Sequence, residues 1–96
     1  MLEIERLDDG DIKLIGRLDA AQADAAQKYL DGVDGPCTLD LADLEYISSA
    51  GLGVLLKTHK RLMSQSSALR LVHVSSHLAD IFKFSGFDKL FQIETS

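Results

Sequence analysis

Two adjacent serines, Ser48 and Ser49, stand just before Ala50-Gly51 and the apolar run Leu52-Gly53-Val54-Leu55-Leu56. A hydroxyl at such a point lies at the start of a helix, beside backbone N–H groups without intrahelical partners and at the positive end of the helix dipole. It could cap the helix, attack a substrate, or accept a phosphoryl group. A nucleophile elbow requires Gly-x-Ser-x-Gly, because its strained turn tolerates only very small residues on either side. Ser49-Ala50-Gly51 supplies the right half, but position 47 is Ile, and neither His73 nor His77 lies in a recognisable base context. The same two histidines straddle a strand end and a loop, so they do not share a helical face for metal binding. Gly51-x-Gly53 falls inside a helix and lacks the third glycine or the Lys-Ser/Thr ending of a phosphate cradle. Capping and phosphate acceptance remain, and they are compatible. A phosphoryl group there would bring about −1.5 to −2 charges to one point of the surface, enough to repel an acidic partner or block a close-packed one.

The composition narrows the partners. The 96 residues suffice for one domain, 1–96, and no apolar run approaches the ~18 residues of a membrane span. Met1-Leu2-Glu3-Ile4-Glu5 has neither the basic start nor the apolar stretch of a signal peptide. The single Cys37 cannot form an internal disulfide; with no basic residue near it in sequence, it reads as a small hydrophobe rather than a reactive thiol. These features predict a cytoplasmic protein. A net charge of −5 argues against nucleic acid or an anionic membrane as partner. The surplus acid in Asp8-Asp9-Gly10-Asp11 and between Asp31 and Glu45 is expected to be solvated. No cofactor or metal site is expected.

The elements that must position the serines follow from periodicity. Leu2 to Glu5 and Ile12 to Leu18 alternate about an Asp-Gly turn, which predicts a β-hairpin. Asp19 suits an N-cap before a helix over Ala20 to Val33, with Ala23, Ala26, Leu30 and Val33 on one face. Thr38 to Leu41 is a short strand, followed by a loop. A helix over about Ser49 to Ser64 turns Leu52, Leu55, Leu56, His59, Leu62 and Met63 inward and leaves Lys57, Lys60 and Arg61 outside. His59 on that stripe reads as a satisfied histidine at the core's edge. Ala68 to Val74 is a strand with Leu69 and Leu71 opposite Val72 and Val74. Ser75 or Ser76 caps a third helix, which Gly86 ends in a left-handed conformation, and Phe91 to Glu94 is a last strand. The order β-β-α-β-α-β-α-β implies an α/β fold with a mixed, mostly parallel sheet. Functional groups in such sheets gather at the carboxyl ends of the strands. Asp19 and Ser48-Ser49 both occupy such ends, so they are expected to share a rim.

These residues resemble a family. Leu39 to Leu56, with Ile15-Gly16-Arg17-Leu18-Asp19 before it and Leu78 to Phe87 after it, is similar to the STAS domains of bacterial anti-sigma factor antagonists. The likeness covers nearly the whole chain and includes the order of elements. It implies a partner-switching cycle. The unphosphorylated antagonist binds an anti-sigma factor, a serine kinase of the histidine-kinase-like ATPase type. Phosphorylation on one serine ends the binding, and a PP2C-type phosphatase restores it. The family's acceptor precedes Gly-Leu at a helix start, which matches Ser49, with Ser48 as the alternative. Its Gly-x-Leu-Asp aspartate matches Asp19, and the implied partner surface comprises Asp19, Ser48, Ser49, Ala50 and Gly51. One departure is plain: Ser48 stands where the best-known members carry aspartate. The resemblance implies a non-enzymatic regulator, a phosphoprotein of transcription control. Its rivals are a STAS subunit of an ABC lipid-transport system and a STAS regulator of a pathway without a sigma factor.

Overall fold

In the computed structural model, which describes residues 1–90 and 92–95, β1 (Leu2–Arg6) and β2 (Ile12–Leu18) form the expected antiparallel hairpin. Its turn is tied by the Asp11 N–H donating to Asp9 Oδ1 at 2.9 Å. The chain continues through α1 (Ala20–Leu30), β3 (Cys37–Asp40), β4 (Leu44–Ile47), α2 (Ser49–Ser64), β5 (Leu69–Val74), α3 (Ser76–Ser85), a 3-10 turn (Phe87–Lys89) and β6 (Gln92–Thr95). Phe91, the expected first residue of the last strand, lies outside the described residues. The sheet runs β1-β2-β3-β5-β6, parallel except for the opening hairpin, and β4 also pairs with β2.

That extra strand corrects the expected order to β-β-α-β-β-α-β-α-β. β3 and β4 are one line of chain interrupted in the middle, each parallel to a different half of β2. Ile12 and Lys13 face Leu39 and Asp40, while Gly16, Arg17 and Leu18 face Leu44, Tyr46 and Ile47. At the interruption the Leu41 N–H still donates to Val72 O (3.0 Å), which continues the pairing with β5. A tight turn follows, with the Ala42 N–H on Asp40 Oδ1 and the Leu44 N–H on Leu41 O. The Gly16 N–H then meets Asp43 O at 3.0 Å and pairing with β2 resumes. β2 accommodates this with a bulge at Gly16/Arg17, where Gly16 takes φ +100° and a Cβ would overlap the Met1 carbonyl oxygen. Only glycine suits that position without strain.

All three helices bury their apolar faces in one core with the inner face of the sheet. Ile12, Leu14, Leu39, Leu55, Leu71 and Phe82 are fully buried there. Alternation puts Lys13, Arg17, Asp40 and Arg70 on the opposite face. Ion pairs join Lys13 to Asp43 and Arg70 to Glu94, and His73 Nδ1 lies 3.1 Å from Asp40 Oδ1.

Two details depart from simple periodicity. In β5 the pairing register with β6 shifts between Leu71 and Val74, and His73 takes φ +55°. The alternation resets there, so Val74 is buried with Leu69 and Leu71 instead of facing away from them. In α2, Arg61 turns inward: Nη2 donates to Leu30 O (2.8 Å) and Val33 O (2.7 Å). Those bonds take carbonyls at the end of α1, which stops at Leu30 rather than at Val33. Met63 is 58% exposed, whereas Val54 and Thr58 are buried, because α2 packs on α1 as well as on the sheet. His59 is buried as expected, its Nδ1 accepting from the Leu69 N–H at 3.2 Å.

The Asp40–His73 pair carries a testable pH effect. Burial raises the Asp40 carboxyl. The Ala42 N–H, the hydrogen bond and charge of His73, and the charge of Lys13 outweigh that and hold it below the usual aspartate range. A depressed folded pKa contributes stability above the unfolded value, near 4, and that contribution disappears as pH falls through the folded value. Asp40→Asn should therefore lower the urea midpoint at pH 7, and the gap to wild type should narrow by pH 3. Parallel curves at both pH values would rule this out.

Candidate functional site

The site is built where β2 and β4 end side by side. Leu18 faces Ile47 across the ladder, and the Ser48 N–H donates to Leu18 O at 2.9 Å. Each strand passes straight into a helix through a capping residue with extended backbone. Asp19 Oδ1 accepts from the Gln22 N–H (3.2 Å) and caps α1. Ser48 Oγ accepts from the Gly51 N–H (3.2 Å) and caps α2. Ser75 caps α3 in the same manner through the Leu78 N–H at the end of β5. The structure thus brings Asp19 and the serine pair to one rim.

It also separates the two serines, which sequence alone left as alternatives. Ser48 is half-buried with its hydroxyl engaged as the cap, and its carbonyl accepts from the Leu52 N–H at 2.8 Å. Ser49 is the first helical residue, exposed, and its hydroxyl makes no hydrogen bond among the described residues. The first turn of α2 carries no acidic side chain, so the positive end of its dipole is left uncompensated. Ala50 is exposed beside Ser49. Gly51 is buried and belongs to the interior, not to the surface. A Cβ there would lie 2.7 Å from Leu18 O and 2.8 Å from the side chains of Ile47 and Leu18. Its missing side chain lets α2 settle directly onto the ends of β2 and β4, which sets the height of Ser49 above the sheet.

Beside the rim, the Arg17 guanidinium stacks 4.5 Å from the centre of the Tyr46 ring, a pairing that sequence reasoning missed. Its signal was hidden because it depends on β4, the strand the sequence did not declare. Cys37 is buried and burial pushes its thiol up, in keeping with a packing role. Among the described residues no three metal-ligating side chains come together. No described helix is long and apolar enough to cross a membrane.

The family model described as Mlab, STAS domain matches residues 4–93, and the chain belongs to the STAS family. Over 77 residues it is 36% identical to BtrV, a candidate anti-sigma factor antagonist of Bordetella bronchiseptica. That match covers 80% of this chain and only 60% of the relative's length. An anti-sigma factor antagonist from Mycobacterium paratuberculosis shares the fold with a TM-score of 0.83 at 21% identity, covering 100% of this chain and 86% of the other. SpoIIAA of Bacillus in its phosphorylated form superposes with a TM-score of 0.70 at 16% identity, covering 100% of this chain and 92% of SpoIIAA. At those identities the two structures bear on fold alone.

Proposed function

We propose that the chain, taken as one STAS domain over residues 1–96, is an anti-sigma factor antagonist switched by phosphorylation of Ser49. Unphosphorylated, it binds an anti-sigma factor that is also a serine kinase of the histidine-kinase-like ATPase type. The phosphate ends that binding, and a PP2C-type phosphatase restores it. The protein acts in the cytoplasm as a binding module without catalysis of its own. Asp19, Ser48 and Ala50 form the rim that the kinase reads, and Gly51 keeps that rim at its height.

One observation carries the reading: of two neighbouring serines, Ser48 is consumed as the helix cap while Ser49 is exposed, with no hydrogen bond to its hydroxyl among the described residues. A phosphate on Ser49 would sit at an uncompensated helix N-terminus, which stabilises it, and would place a near-double charge on the docking rim. The chain's 36% identity to BtrV, a candidate anti-sigma factor antagonist, lends support to the antagonist role.

The test uses the histidine-kinase-like ATPase recovered with the wild-type chain from source cells, then purified. With ATP, mass spectrometry should find one phosphate, retained in Ser48→Ala and absent in Ser49→Ala. In calorimetry Ser49→Asp should bind the kinase at least tenfold more weakly, about 1.4 kcal/mol. Phosphate on Ser49→Ala at the wild-type level, or equal affinity of Ser49 and Ser49→Asp, refutes the switch. The lipid-transport rival predicts recovery of a transporter ATPase and no phosphate at all.

A further inference from the structure

Among the described residues the sheet ends in two strands that pair on one side only, β1 and β6. An open edge offers main-chain N–H and C=O groups to any strand that can reach it, and proteins commonly block such edges with charge. β1 is blocked in that way, with Glu3, Glu5 and Arg6 exposed along it. β6 is not. Its sequence Gln92-Ile93-Glu94-Thr95 has no lysine, arginine or proline, and its one charge, on Glu94, is paired with Arg70 of β5. A groove runs beside it, lined by Ala79, Asp80 and Lys83 of α3, Asp88 of the 3-10 turn, and Ile93 and Thr95 of β6. No described residue of β5 lines the groove, so it lies over the free side of β6. Ile93 and Thr95, two apart, share the face of β6 that turns toward the core, and half-buried Ile93 and Ala79 make the floor apolar. Asp80, Lys83 and Asp88 are exposed, and none of them makes an ion pair among the described residues.

We infer that this edge accepts an extended segment of another protein as a further strand, one with an apolar and a basic side chain two positions apart. The unpaired main chain of β6 defines the first requirement, since only an extended backbone can match its hydrogen-bonding groups. Alternate side chains of the added strand then enter the groove beneath α3. The apolar one covers Ile93 and Ala79. The basic one meets Asp80 or Asp88, whose two carboxylates outnumber the single ammonium of Lys83. A second copy of the chain fits less well. Its own β6 brings no cation to the groove, and two copies, each of net charge −5, repel one another. This reading rests on the sheet edge alone and does not require phosphorylation of Ser49.

The probe is a library of random heptapeptides displayed on phage and selected on the intact chain. Enriched sequences should carry Val, Ile or Thr two positions from Lys or Arg. In the amide spectrum of the labelled chain, a synthetic peptide of the most enriched sequence should shift residues 79–83 and 92–95 and leave β1 unmoved. N-methylation of its alternate main-chain amides should weaken binding about tenfold, because each removes a donor that the edge requires. The double variant Asp80→Asn/Asp88→Asn should bind the unmodified peptide about fivefold more weakly at an unchanged thermal midpoint. No enrichment, enrichment of acidic peptides, shifts confined to β1 or to the Ser49 rim, or affinity indifferent to N-methylation overturns the inference. So does sedimentation of the free chain as a dimer whose formation moves the signals of β6, which would assign the edge to a second copy.

Discussion

Gly51→Ala is expected to destabilise the fold by about 1–3 kcal/mol, the range seen when a methyl group is forced into a packed site. The new Cβ would lie 2.7 Å from the Leu18 carbonyl oxygen and 2.8 Å from Ile47 Cγ1. The first contact is backbone and cannot rotate away. Relief must come from lifting the start of α2, which pulls the Ser48 N–H from Leu18 O and tilts Ser49 relative to Asp19. Denaturant midpoints should therefore fall, together with the rate of the phosphorylation proposed at Ser49. The same substitution two residues later, where the space is open, should raise stability. An unchanged midpoint for Gly51→Ala would mean that the close approach of α2 to β2 is wrong.

A larger loss, about 3–5 kcal/mol, is expected for Phe82→Ala. Phe82 is 0% exposed and the largest of the fully buried side chains among the described residues, set by α3 into the core it shares with Leu78. Removing the ring forfeits its transfer free energy and leaves a cavity that surrounding strands cannot close. Against a typical total of 5–15 kcal/mol, this single change takes a large share of the margin. Phe84, two residues on, is 91% exposed on the far side of the helix. Phe84→Ala should shift stability by less than about 0.5 kcal/mol. Urea unfolding of both variants decides the matter, and comparable losses would contradict the placement of α3.

Most of the rim could be read from sequence because its signals are local. Asp19 and Ser75 sit where strand alternation gives way to helical spacing, Ser48 stands just before an apolar helical stretch, and each caps through a backbone N–H three residues on. Gly86 likewise ends α3 at φ +78°, as its place after the last apolar turn predicted. What escaped was non-local. β4 has only four residues, Leu44–Ile47, and exists as a strand because β2 bulges at Gly16 to receive it. Nothing within Leu44-Glu45-Tyr46-Ile47 itself announces that partner. Arg61 looked like a surface cation because its inward role depends on where α1 ends. The β5 bulge at His73 is also invisible to period-two counting, which assumes an uninterrupted ladder. The preference for Ser49 over Ser48 rested on the family resemblance, since one residue's shift in helix start would have exchanged which of them caps the helix.

The use of Ser48 as a helix cap has one more consequence. Serine and aspartate serve about equally well at that position, so a Ser48→Asp exchange conserves the backbone and inserts a full negative charge next to the proposed phosphate acceptor. Selectivity among competing kinases can then be retuned by one codon at constant architecture. Paralogous switches in one cell could be insulated from each other this way, without any of them having to evolve a new shape.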